Sequence, residues 1–263
     1  MPELPDVAQF KSYLDSTSLR RRVTAVRGLD ADLVRDMSAA RLRKAVAKRR
    51  FVSSQRHGKY LLVGLDDGRF LVLHFGMTGF LKASKQGEET PSHARAVFVL
   101  DDGYHLAYAC QRKLGQLTVV DGPEELAQRH GLGPDALDDA LTVDALAERL
   151  EGSRAMIKSA LMNQQLLAGI GNVYSDEILF HSRMHPKRPA GRLDRKGLRA
   201  LHRNMRKVLH KAIECRAEIE RLPRGYLLPH RDTDDDCPRC GGELDTLKVG
   251  GRTAWLCPRC QPS

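Results

Sequence analysis

Met1-Pro2-Glu3-Leu4-Pro5-Asp6 opens the chain, and the residues after it, Val7, Phe10, Tyr13 and Leu14 with polar residues between, have the spacing of one amphipathic helix from Asp6 to about Arg20. Chain termini are usually loose unless something ties them down. A helix directly behind this terminus does so, and Pro2 and Glu3 are therefore expected at a fixed place. Initiator methionine is generally trimmed when a small residue comes next, which here leaves Pro2 as a free secondary amine beside a carboxylate.

An α-amino group, with a pKa near about 8 against about 10.4 for lysine, keeps more free base at neutral pH. A secondary amine is more basic than the generic terminus, which narrows that advantage. The product of attack is the firmer point. A secondary amine condensing with an aldehyde carbon gives an iminium with no N–H to lose, a cationic electron sink suited to elimination. Glu3 can move a proton as the bond breaks. Prolines near a start codon are also common for no chemical reason, so the pair needs support from the rest of the chain.

At 263 residues with 41% hydrophobic content the chain has room for two domains with real cores. No run of eighteen apolar residues occurs and the N-terminus has no apolar signal core, so neither membrane insertion nor secretion is expected and the cytoplasm is the default. Lys and Arg number 43 against 33 acidic residues, a net charge of +10 that favours a polyanionic partner. Nucleic acid is the simplest such partner; charge alone does not separate it from an acidic protein. Six cysteines in a long chain without a signal core favour metal or free thiols over a disulfide framework.

From Val23 the pattern turns to β. Lys59 to Gly68 and Ala96 to Gly103 both run apolar into Asp-Asp-Gly, and each is succeeded by a second apolar run, Phe70 to Phe75 and Tyr104 to Ala109. Both predict hairpins with Asp-Gly turns, and together a sandwich or small barrel. Polar Lys82 to Ser92 reads as a mobile loop. Breaks at Asp121-Gly122-Pro123 and Gly131-Leu132-Gly133-Pro134 mark a domain boundary, with helices after it at Thr142 to Leu150, Arg154 to Met162, Asn172 to His181 and Asp194 to Glu214. The last puts Leu198, Leu201, Met205, Val208, Leu209 and Ala212 on one face and arginines largely off it. Those arginines fit a solvated face at least as well as a DNA contact.

Cys237-Pro238-Arg239-Cys240 and Cys257-Pro258-Arg259-Cys260 are two C-x2-C knuckles sixteen residues apart, the spacing of a closed tetrahedral zinc site. With all four ligands thiolates, the metal is structural, and Leu244 to Trp255 can return between the knuckles as a hairpin. Gly250-Gly251 before Arg252 allows a tight turn that aims a guanidinium outward, where it can clamp a phosphate. In Gly169-Ile170-Gly171-Asn172, glycines ahead of a helix expose backbone N–H groups to an anion, and Asn172 can cap that helix. Such a turn is by itself ordinary helix-junction chemistry.

Pro2-Glu3-Leu4-Pro5, His57-Gly58-Lys59-Tyr60, His74-Phe75-Gly76-Met77-Thr78-Gly79, Gly169-Ile170-Gly171-Asn172-Val173-Tyr174 and the four-cysteine ribbon occur in this order. The whole chain resembles the formamidopyrimidine-DNA glycosylase / endonuclease VIII family of bifunctional DNA glycosylases and abasic-site lyases. The resemblance implies an α+β protein: a β-sandwich with an N-terminal helix over 1–121, a linker at 122–134, a helix-two-turn-helix module over 135–232 and a zinc finger over 233–263. It implies one structural Zn2+ on Cys237, Cys240, Cys257 and Cys260, and a monomer acting on double-stranded DNA with damaged bases or abasic sites. By the same resemblance Pro2 is the Schiff-base nucleophile and Glu3 its general acid/base. Lys59, Asn172 and Arg252 match phosphate-facing positions, Arg252 also being tied to the second elimination. His93, Lys113 and Arg154 fall near other backbone contacts, and Met77 matches the wedge that fills the gap left by the extruded base.

The chain departs from that pattern in three places. Arg112-Lys113-Leu114 replaces the commoner Arg-Arg-Phe in the loop that probes the opposite strand, an aliphatic filler for an aromatic one. Asp6 stands where glutamate is commoner. Cys215 to Asp236 is short and lacks the Gly-Gly-Thr run of a loop that folds over a flipped purine. Without such a cap, discrimination rests on how easily a base leaves the stack. Oxidised pyrimidines and ring-opened or further-oxidised purines are then expected to be excised faster than oxidised guanine paired with cytosine. Two other functions fit parts of the sequence: a non-catalytic binder of damaged or structured DNA with this fold, and a zinc-ribbon protein acting on RNA. Borohydride trapping on abasic-site DNA separates them.

Overall fold

The computed structural model describes residues 1–231 and 236–263. The expected boundary between 232 and 233, and the end of the stretch expected to lack a cap, lie outside the described residues. The chain divides into two units, one of Met1–Pro2 with Asp6–His130 and one of Glu3–Pro5 with Gly131–Ser263.

Helix α1 (Leu4–Thr17), part of the first unit from Asp6 onward, starts two residues before the expected point, because a proline is tolerated in the first helical turn. Val7 and Leu14 are fully buried and Phe10 stacks on Phe75 at 4.3 Å. Strand β1 (Val23–Arg27) leads into a 3-10 turn at Ala31–Leu33, capped by the Asp30 carboxylate, and then α2 (Ala39–Val46), capped by Ser38. Then come β2 (Phe51–His57), β3 (Tyr60–Leu65), β4 (Phe70–His74), β5 (Gly79–Lys85), β6 (Ala94–Leu100), β7 (Tyr104–Cys110), β8 (Gln116–Val120) and α3 (Pro123–His130). They form two antiparallel four-stranded sheets, β1-β6-β7-β5 and β2-β3-β4-β8, whose inner faces share one apolar core with α1 and α2. The first Asp-Asp-Gly turn forms as expected: Gly68 N–H donates to Leu65 O at 3.0 Å and Gly68 takes a left-handed φ of 88°, a type I turn closed by a glycine bulge.

The expected loop at Lys82 to Ser92 is corrected in its first four residues. Lys82 pairs with Ala107 and Lys85 with Tyr104, so β5 runs to Lys85 and the turn starts at Gln86. Exposure along β5 alternates, and the polar residues that suggest a loop mostly face solvent from a paired strand.

The second unit holds α4 (Val143–Leu150), α5 (Ile157–Met162), α6 (Asn172–Ser182) and α7 (Arg195–Glu214), then the hairpin β9 (Asp245–Val249) and β10 (Arg252–Leu256). The helix expected from Arg154 begins only at Ile157: Ala190 N–H donates to Ala155 O and Met156 bridges Pro189, which keeps the backbone before it extended. The apolar face of α7 is buried as the spacing predicts. Off that face, Arg206 donates to the carbonyls of Leu137 and Asp138 and pairs with Asp139, so that arginine is structural. No helix among the described residues is long and apolar enough to cross a membrane.

Candidate active site

The helix junction at Gly169-Ile170-Gly171 does bind an anion, and the anion is the chain's own Glu3. Its carboxylate is 1% exposed and accepts from the backbone N–H groups of Gly171 at 2.7 Å, Val173 at 2.8 Å and Tyr174 at 3.2 Å. The first turn of α6 leaves its N–H groups without intrahelical partners, and a carboxylate at the positive end of the helix satisfies them. Leu4 N–H donates to Gly169 O at 3.0 Å, which fixes the next residue as well. The expectation that Asn172 caps this helix is corrected. The cap position falls on Gly171 and carries no side-chain bond, so Glu3 does the capping, while Asn172 stands half-buried as the first helical residue.

Gly171 makes the cradle possible by its size. Its φ of −127° suits any residue, but a Cβ there lies 2.4 Å from the Glu3 carboxyl carbon and Oε1. Gly171→Ala is expected to displace Glu3 and leave buried amides without an acceptor, a loss of about 2–4 kcal/mol. Thermal melts and single-turnover base excision check this; a variant that melts and turns over like the parent rules out the cradle as described.

Behind Asn172 lies a polar cluster that periodicity could not reveal. Lys158 on α5 is fully buried and donates to Asn172 O at 3.0 Å, Ser175 Oγ at 2.9 Å and Asp176 Oδ1 at 2.5 Å. Burial pushes the Lys158 ammonium down and the Asp176 carboxyl up, and their mutual contact opposes both. Arg231 lies 3.6 Å from Asp176. Next along α6, buried Glu177 accepts from Leu227 N–H at 3.0 Å and Leu228 N–H at 2.8 Å. This pins the described part of the stretch expected to lack a cap. Together with α6 that segment lines an open hollow of about 340 Å³ bordered by Val173, Ile219, Glu220, Leu228, Pro229 and Arg231. The only signal in the sequence is Ser175-Asp176-Glu177, three consecutive polar residues in a helix with no polar face to put them on.

In the first unit Lys59 sits in a two-residue hairpin between β2 and β3. Gly58 takes the left-handed φ of 56° that the first turn position of a type II′ hairpin needs, and Arg56 donates to its carbonyl at 3.0 Å. Lys59 is 8% exposed, unlike an ordinary strand-end lysine. Beside it, the Tyr60 ring lies between His74 at 4.8 Å and His130 at 5.2 Å. Burial first, then the charges of Lys59 and His130, holds His74 down from 6.5 to about 4. The unfolded chain protonates this histidine below pH 6.5 while the folded one keeps it neutral to about 4, so stability falls as pH falls through that window. The loss is on the order of 3 kcal/mol. His74→Asn, which keeps an acceptor for Gly76 N–H, is expected to flatten melting temperature against pH between those values; an unchanged slope excludes His74 as its source.

Met77 and Leu114 are 37% and 49% exposed on two loops packed backbone to backbone. A Cβ on Gly76 lies 2.4 Å from the Leu114 carbonyl carbon, and Arg112 N–H donates to Thr78 Oγ1 at 3.1 Å. Arg112 and His93 are exposed, as is Arg154 in the second unit. Lys113 is ion-paired with Asp30 at 2.9 Å and Asp32 at 3.2 Å.

The cysteine expectation fits the geometry. All four Sγ atoms lie within 4.8 Å of one another, with Cys237 to Cys260 at 3.9 Å and Cys240 to Cys257 at 3.5 Å. Zn–S bonds of about 2.3 Å in a tetrahedron require S···S separations of about 3.8 Å. The site holds one structural zinc. Gly250 and Gly251 have φ of 55° and 74°, a type I′ turn that leaves Arg252 exposed at the head of β10. Buried Gln261, which nothing in the spacing marks, accepts from Cys257 N–H at 3.1 Å and donates to Met184 O at 2.9 Å, fixing the second knuckle. Arg239 fixes the first, over the Phe180 ring at 4.2 Å.

Comparison with known proteins matches residues 1–117 to the model of the formamidopyrimidine-DNA glycosylase N-terminal domain, 132–223 to that of the formamidopyrimidine-DNA glycosylase H2TH domain, and 236–262 to the zinc finger found in FPG and IleRS. A formamidopyrimidine-DNA glycosylase of Symbiobacterium thermophilum is 38% identical over 100% of this chain and 90% of its own. One of Herpetosiphon aurantiacus is 33% identical over 99% and 100%. Among solved structures, the Lactococcus lactis formamidopyrimidine-DNA glycosylase non-covalently bound to abasic-site DNA superimposes with a TM-score of 0.90 at 26% identity, over 99% of this chain and 100% of that one. The same enzyme with DNA containing an N7-benzyl-Fapy-dG gives 0.90 at 25%, over 100% of both chains. With relatives of one kind along its whole length and all three domain models in order, this chain belongs to the formamidopyrimidine-DNA glycosylase family.

Proposed function

We propose that this chain is a base-excision-repair DNA glycosylase that is also an abasic-site lyase, and that the buried Glu3 carboxylate, locked by three backbone N–H groups one residue behind Pro2, carries the chemistry. Once Met1 is removed, the Pro2 nitrogen attacks the anomeric carbon of the damaged nucleotide. The base leaves with a proton, the ring-opened sugar becomes an iminium on Pro2, and loss of a proton from the neighbouring carbon expels the 3′ phosphate. Glu3 moves the protons. Lys59, Asn172 and Arg252 grip the phosphates around the lesion, with His93 and Arg154 further along the backbone. Met77, Arg112 and Leu114 fill and probe the gap on the opposite strand. The substrate is double-stranded DNA containing damaged bases or abasic sites, bound by a monomer in the cytoplasm, and the chain is read as a catalytic domain to 121, a linker to 134, a helix-two-turn-helix module and a zinc finger.

Trapping with borohydride on an abasic-site duplex, then peptide mapping, tests this. The adduct is expected on Pro2; an adduct on a lysine, or none, rejects it. The hollow beside Val173 would take the flipped base; its Ile219, Leu228 and Pro229 walls are apolar, and Glu220 and Arg231 are its charged side chains. Single-turnover rates are expected to be higher for oxidised pyrimidines and ring-opened purines than for oxidised guanine opposite cytosine, by roughly tenfold, about the worth of one hydrogen bond. Oxidised guanine opposite cytosine as the fastest substrate contradicts it.

A further inference from the structure

We propose that Lys113 is a positioning residue whose working partner is Asp30, and that this pair sets the opposite-strand loop in its reading conformation before DNA arrives. The inference rests on the proposed function only in taking Arg112 and Leu114 as the residues that probe the opposite strand.

Lys113 is one of few non-glycine residues with a left-handed backbone, φ 50°, a conformation that persists only where the surroundings hold it. Its ammonium reaches back to Asp30 at 2.9 Å and Asp32 at 3.2 Å. Asp30 is itself fixed: its carboxylate caps the 3-10 turn, its N–H donates to Arg95 O at 2.8 Å, and its side chain is 17% exposed. Arg95 completes the set, donating from Nε to Cys110 O at 3.0 Å while a guanidinium nitrogen lies 3.7 Å from Asp30. Asp30 thus faces two cations, Arg95, which also donates to Cys110 O at the start of the turn, and Lys113 in its middle. The hydrogen bond from Lys113 also holds the Asp30 carboxyl below its ordinary range.

The charges of Asp30 and Asp32 offset those of Lys113 and Arg95, which leaves Arg112 to supply the loop's positive charge towards DNA. A phosphate drawn to Lys113 meets two carboxylates at the same ammonium. A phosphate contact and a brace therefore predict opposite effects for one substitution. If Lys113 grips DNA, Asp30→Asn removes a competitor and tightens binding; if it is a brace, Asp30→Asn loosens the loop as Lys113→Met does.

The test compares Asp30→Asn, Lys113→Met and Lys113→Arg with the parent by amide hydrogen exchange over 110–115 in the free protein. It adds affinity for an abasic-site duplex across a salt series, and the ratio of excision rates for oxidised guanine opposite cytosine and opposite adenine. Expected are faster exchange in both Asp30→Asn and Lys113→Met, a discrimination ratio reduced about fivefold in both, a salt slope equal to the parent's, and recovery in Lys113→Arg. A slope reduced by about one in Lys113→Met, or tighter binding by Asp30→Asn, overturns the proposal in favour of a phosphate contact. Unchanged exchange in both variants overturns it outright. Exchange needs no DNA, so it decides the brace even if the parent proves not to nick abasic sites, an outcome that strikes the proposed function instead.

Discussion

Protein carrying residues ahead of Pro2 is expected to nick abasic-site DNA at least about 10³-fold more slowly than the trimmed chain, because an amide nitrogen is no nucleophile. The fold should be untouched, since Met1 is exposed and outside α1. Cleaving the extension with a site-specific protease to leave Pro2 first should restore the rate in the same sample. Glu3→Gln separates the steps. One carboxylate oxygen becomes an NH2 group, which cannot accept from the buried amides and is a poor acid, so excision should drop roughly 10²- to 10³-fold while nicking of a preformed abasic site falls less. Equal rates from the extended and trimmed proteins are incompatible with a terminal nucleophile.

Removing zinc should be the second large effect. Around the knuckles, Phe180, Leu227, Cys237 and Cys257 form one small buried cluster, with Leu244, Trp255 and Cys260 packed against it. Structural zinc supplies folding free energy outright, so chelation or Cys257→Ser should unfold residues 236–263. Affinity for abasic-site DNA should then fall roughly ten- to hundredfold with loss of Arg252, and the remaining binding should still weaken with salt. The sheets of the first unit should keep their circular dichroism. Binding indifferent to the chelator means that the finger takes no part in holding DNA.

Features that depend on local spacing are legible in the sequence. The knuckles, the apolar face of α7, the Asp-Asp-Gly turn and the Gly-Gly turn ahead of Arg252 all come from side-chain period or from φ values that glycine permits. Partners distant in sequence are not legible. The glycine junction at 169–171 reads as an anion site without its anion, because Glu3 lies 168 residues from Gly171 and no pattern links them. Lys158 and Asp176 escape for a related reason: on helices buried all round, a charged residue looks like a solvated one until its partner is seen. Lys113 falls to DNA by its place in a motif, and only the position of Asp30 shows that its charge is already engaged.

The close fit of Gly171 against Glu3 also limits the routes by which this sequence can change. A larger residue at 171 has no space while a glutamate points at it, and a shorter one at position 3 strands the amides of Val173 and Tyr174. A change at either position alone crowds the carboxylate or strands buried amides, so the fit constrains both positions at once. They form one heritable unit split between the two halves of the gene, and recombination between distant relatives preserves it only when both parents carry the same pair.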